Sequence, residues 1–120
     1  MSKEIKPLEW VGNAKKDLLQ MPEPVVDLVG YALHLAQASL KHPQSKVLKG
    51  FGSAGVLEVV EDDDGNTYRA VYTVRFKNAV YVLHCFQKKS HRGIETPRHE
   101  LELIEQRLRM AKAHAEGEMK

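Results

Sequence analysis

Two runs of alternating apolar and polar residues, Asn66 to Phe76 and Val80 to Lys89, are separated only by a short polar break at Lys77 to Ala79. That spacing allows little besides an antiparallel hairpin. Side chains alternate across a strand, so Tyr68, Ala70, Tyr72, Val74 and Phe76 point one way, and Arg69, Val71, Thr73 and Arg75 the other. Whether the central turn residues are Lys77-Asn78 or Asn78-Ala79, facing pairs sum to an odd number, because a register shift of two preserves sidedness. Tyr81, Leu83 and Cys85 are therefore expected beside Tyr72 and Val74, while Val82, His84, Phe86 and Lys88 join Arg69 and Arg75.

Charge makes the second face distinctive. Between Gly65 and Arg98 there are seven Lys or Arg residues and one Glu, a local excess of +6 in a chain whose net charge is +2. Concentrated cations on a sheet and its following loop suit a phosphate backbone, and they equally suit a solvated basic surface.

The flanking segments supply the layers. Ile5 to Val11 has strand spacing at Leu8 and Trp10, and Pro7, lacking an N–H, confines it to a sheet edge. Gly12-Asn13 offers a cap for a short helix over Ala14 to Gln20. A longer helix is expected from about Pro24 to Leu40, with Val25, Leu28, Val29, Ala32, Leu33 and Ala36 as its apolar stripe. Its Tyr31 and His34 are read as partly buried polar side chains. Lys46 to Gly55 reads as a glycine-bearing loop and Val56 to Val60 as a strand, with Glu61 to Asn66 an acidic turn. Thr96-Pro97 opens the last helix, where Leu101, Ile104, Leu108 and Ala111 share a face; the tail from about His114 is expected to fray.

The sum is an α+β fold: two N-terminal helices, an antiparallel sheet of three to four strands with a central hairpin, and a C-terminal helix. At 120 residues the chain is expected to be a single domain, residues 1–120 with a core of about 7–112. The lone cysteine, Cys85, has no partner for an internal disulfide and is expected as a buried inert thiol in a reducing compartment. No apolar run reaches the roughly 20 residues needed to span a bilayer, and no signal-peptide pattern opens the chain, so a cytoplasmic location with no membrane partner is expected.

Metal chemistry finds no support in the spacing. His84 and Cys85 are adjacent on a strand and point to opposite faces, so they cannot share a metal or act as a Cys–His pair. No metal and no cofactor are called for. A basic cluster remains: Arg69, Arg75, His84, Lys88 and Lys89, with His91 and Arg92 on the loop. Such groups can cut RNA, which carries its own nucleophile in the 2′-hydroxyl; the protein need only align it, move protons and stabilise charge on phosphorus. Arginine grips two phosphate oxygens, and lysine or histidine can transfer protons. A nonspecific RNA-binding surface has the same composition. Parity sets Lys88 on the face of Arg69, whereas Lys89 points away unless the strand ends or twists first.

Arg69 within Thr67 to Tyr72, then Val80 to Ser90 with its Phe86-Gln87-Lys88-Lys89-Ser90 string, and Thr96-Pro97 opening a helix, resemble the phage-derived HigB-like branch of the RelE/ParE toxin superfamily. Lys46 to Glu58 is similar to the stretch before that family's first long strand, and the resemblance covers roughly Leu8 to Lys112. It implies a RelE-like fold and the toxin of a type II toxin–antitoxin pair, a ribosome-dependent endoribonuclease acting on mRNA. It also implies a helix-turn-helix antitoxin as partner. By that match Arg69, Lys88 and Lys89 are phosphate-binding and catalytic. His84, on Arg69's face by strand parity, is a further acid–base candidate, and Arg75, His91 and Arg92 of the basic cluster are read as RNA contacts. One departure stands out: relatives often carry an arginine shortly after the glutamate matching Glu58, where this chain has Val59-Val60. The alternatives are a ParE-like toxin that inhibits DNA gyrase without cleavage, and a catalytically degenerate RNA- or protein-binding module. Val71, Val82 and Phe86 beside the cations make an apolar, basic face suited to an acidic amphipathic segment.

Overall fold

A computed structural model describes residues 5–52, 55–88 and 96–118. In chain order the elements are β1 (Leu8–Trp10), α1 (Ala14–Leu19), α2 (Glu23–Gln37), β2 (Ser45–Val47), β3 (Val56–Asp63), β4 (Asn66–Thr73), β5 (Val80–Lys88) and α3 (Arg98–Glu118). The α+β class stands, and the sheet is larger than the sequence suggests. Among the described residues it has five strands in the order β1-β5-β4-β3-β2, with β1 parallel to β5 and all other pairs antiparallel.

Both sheet faces are covered. On one, α1 and the buried stripe of α2 (Val25, Val29, Ala32, Leu33, Ala36) pack against Leu57, Val59, Ala70, Tyr72, Val80, Val82 and Cys85. On the other, Ile104, Ala111 and Ala115 of α3 pack against Val71, Tyr81, Leu83 and Phe86. The face expected to present Val71, Val82 and Phe86 to a partner is thus corrected twice. Val71 and Phe86 are buried beneath the chain's own last helix, and Val82 belongs to the opposite core.

That last difference has a local cause. From Thr67↔Lys88 to Val71↔His84 the pairs sum to an odd number, as expected, but the register then shifts, giving Tyr72↔Val82 and Thr73↔Tyr81. One extra residue in β5 makes a bulge at Leu83, and every side chain on the turn side of it changes face. Tyr81 and Leu83 therefore join Arg69's face; only Cys85, beyond the bulge, keeps its expected place beside Tyr72. The hairpin turn also differs. β4 ends at Thr73, because the Gly55 carbonyl accepts from both the Thr73 hydroxyl (3.0 Å) and the Val74 N–H (3.1 Å). Val74, Arg75 and Phe76 leave the ladder for a longer connection.

Other boundaries follow from backbone chemistry. β3 runs on to Asp63, since Asp64 and Gly65, at φ 49° and 81°, make the two-residue turn that an Asp-Gly pair favours. Part of the expected glycine-bearing loop is an edge strand, β2. Helix α2 stops at Gln37: Ser39 takes φ 63°, Ser39 N–H donates to Ala36 and Leu40 N–H to Leu35, a left-handed C-terminal cap. Tyr31 and His34 are exposed rather than partly buried. Helix α3 does not fray at His114; it continues to Glu118, with Ala115 buried and His114 Nδ1 2.8 Å from the Tyr81 hydroxyl. No helix among the described residues is long and apolar enough to cross a membrane.

Candidate functional site

The middle strands bring three of the expected residues onto one face. Arg69 on β4 lies opposite Phe86 on β5, and His84 and Lys88 are the alternate neighbours of Phe86 along that strand. All three are under a tenth exposed, at 5% for Arg69, 6% for His84 and 7% for Lys88. Arg75 is not with them. It is exposed and lies beyond the end of β4. Lys89, His91 and Arg92 lie outside the described residues.

Arg69 is held from two sides. Its Nη1 donates to Glu58 Oε2 at 2.9 Å and to Thr96 Oγ1 at 3.1 Å. Glu58, on β3, faces Val71 across the ladder, so it lies on the same side as Arg69 and diagonally next to it. Thr96 was expected to cap α3; instead the Pro97 carbonyl accepts from the Glu100 and Leu101 N–H groups of the first turn, and the threonine hydroxyl accepts from Arg69. The start of α3 is thereby tied to the middle of the sheet.

His84 is enclosed as well. Its ring stacks on Phe86 (centroids 4.6 Å apart, 16° between planes), Nε2 is 3.1 Å from Glu100 Oε1, and Nδ1 is 3.4 Å from Arg107 Nη1. Arginine can only donate, so Nδ1 is the acceptor and the ring proton is assigned to Nε2, which donates to Glu100. Burial pushes the imidazole pKa down; Glu100 pulls it up and the Arg107 charge lowers it. Arg107 Nη1 also donates at 2.9 Å to the Leu83 carbonyl, at the bulge. The guanidinium fits because Gly12 has no side chain: a Cβ there would sit 2.9 Å from Arg107 Cζ, at a backbone φ of +58°.

Cys85, on the other face, is buried, and burial, aided by the charge of Asp17, pushes its thiol up to about 12. It is held as an unreactive thiol.

Strand parity identified Arg69, His84 and Lys88 as one set. It missed what engages them, namely Glu58, Thr96, Glu100 and Arg107. Glu58 was within reach of the same reasoning, as a lone acid in an apolar strand. Glu100 and Arg107 were not, because their contacts depend on where α3 crosses the sheet.

Fold and site together define a small α+β protein whose cations converge on the middle strands of one sheet face. Residues 16–109, most of the chain, match the family described as Phage derived protein Gp49-like, and the chain belongs to that family. The family falls within the RelE/ParE-like group of type II toxin–antitoxin toxins, which are typically partnered with an antitoxin. No curated protein matches the chain.

Proposed function

We propose that this protein is the toxin of a type II toxin–antitoxin pair and a ribosome-dependent endoribonuclease of the HigB-like kind, held in check by a helix-turn-helix antitoxin. The observation that carries this reading is the shared face of Arg69 and Lys88 beside Thr96 at the start of α3. The 2′-hydroxyl of mRNA attacks the adjacent phosphorus and gives up its proton; the bond to the 5′-oxygen breaks, and that oxygen takes a proton. Products are a 2′,3′-cyclic phosphate and a 5′-hydroxyl. Arg69 exchanges Glu58 or Thr96 for non-bridging phosphate oxygens and stabilises the charge that develops there. Lys88 and Lys89 are the proton carriers in this reading. His84, with both ring nitrogens engaged, acts as a positioning residue that fixes β5 against α3.

The Arg69–Glu58 ion pair favours one second reading, a toxin that acts by binding, such as a gyrase inhibitor, because an arginine neutralised in advance is a weaker phosphate clamp.

Primer extension on mRNA incubated with purified protein, with and without translating ribosomes, tests the proposal. Cuts appear only with ribosomes, and Arg69→Lys, which keeps the buried charge but loses the planar fork, lowers cleavage roughly 100-fold. Arg69→Ala is the poorer probe, since it strands Glu58 beside a void. No cuts from folded protein that arrests growth, together with lost supercoiling by gyrase, gives the second reading.

A further inference from the structure

The row of residues that contains Glu58 does not end at Glu58. Lys46 on β2 is its direct cross-strand partner, so Lys46, Glu58, Val71 and His84 run in one line across four strands on the face that carries Arg69. The orientation of Lys46 is fixed by its neighbours. Ser45 turns to the opposite face, where its hydroxyl accepts from buried Tyr72 at 2.7 Å, and Gln44 Nε2 donates to the Val60 carbonyl at 3.1 Å. Leu48, two residues on, is buried in the core of the α3 side, in keeping with strand alternation.

Helix α3 packs along β5, and on this face the far strands are more open: Glu58 and Val60 are half-buried and Lys46 is exposed. Lys46 makes no ion pair among the described residues. The charges then decide the matter. Arg69 and Glu58 cancel at 2.9 Å, so an anion that meets only this pair meets no net charge. Lys46 adds a positive charge beside that neutral pair.

We propose that Lys46 is a substrate-binding residue, and that a single-stranded RNA crosses β3 from the Arg69 side to β2, with a phosphate seated on Lys46. Two strand spacings, about 10 Å, separate the two positions. This deepens the endoribonuclease reading and rests on it.

The test is the rate of ribosome-dependent mRNA cleavage at several salt concentrations. Lys46→Ala is expected to slow cleavage about 10-fold near physiological salt and to reduce the salt dependence by about one unit of slope, with Lys46→Arg close to wild type. Lys41→Ala, an exposed lysine outside the sheet, serves as control and is unchanged. Position 46 is exposed on an edge strand, so the variant keeps its fold. If wild-type protein cleaves and Lys46→Ala cleaves equally well with the same salt slope, the RNA path is wrong and the nuclease reading stands. If wild-type protein does not cleave, both fall. An equal loss in Lys41→Ala also overturns the path, since the effect is then one of general charge.

Discussion

His84, suited to catalysis by residue type, is enclosed by its surroundings. Burial lowers its pKa below the ordinary value of 6.5, and Glu100 offsets only part of this. The unfolded chain therefore binds the proton more tightly than the native state. The stability contribution is fully present above about pH 6.5 and is lost as pH falls from there through the lower folded pKa. In urea titrations at about pH 7.5 and about pH 5, the wild-type midpoint is expected to drop more than that of His84→Gln, which has nothing to titrate at this position. Equal drops would show that the native imidazole protonates as readily as the unfolded one. The same enclosure explains why sequence parity set His84 on the right face and still could not give its role: the strand fixes its direction, while Glu100 and Arg107 reach it from a helix far along the chain.

Among the elements, β2 is the least visible in the sequence, and its attachment rests on few groups. Three residues pair with β3, and the buried bond from the Tyr72 hydroxyl to Ser45 Oγ pins the strand to the centre of the sheet. Removing either partner strands the other, a loss of about 1–3 kcal/mol, whereas removing both leaves little unpaired. Chemical denaturation of Tyr72→Phe, Ser45→Ala and the double variant should show this: each single change costs about 1–2 kcal/mol and the double costs clearly less than their sum. Strict additivity would mean that the bond contributes nothing. Lys-Val amid lysines and glycines carries no strong strand signal, so β2 was hidden within an apparent loop. The bulge in β5 was equally hidden, since an inserted residue leaves the alternation of Val80 to Lys88 looking regular. By contrast, the α2 stripe and the α3 face were legible, because six and four apolar residues at helical spacing leave a single side to bury.

For the whole molecule, stability should grade from the centre of the sheet to its edges. β4 and β5 lie between two helical layers and hold the most fully buried side chains, including Tyr72, Val71, Val82 and Leu83, while β1 and β2 are three-residue edge strands. Native-state hydrogen exchange is expected to be slowest for amides of β4 and β5 and markedly faster for those of β1 and β2. Uniform protection across all five strands would contradict that grading. The parallel pairing of Leu8 with Val80 has a further consequence for how such a chain comes into being. During synthesis the first strand waits, unpaired, until the strand that holds His84 and Lys88 has left the ribosome, and only afterwards does α3 arrive to close over it. Strand, site and covering helix are completed in that order, so a growing chain carries no assembled site until α3 has been made.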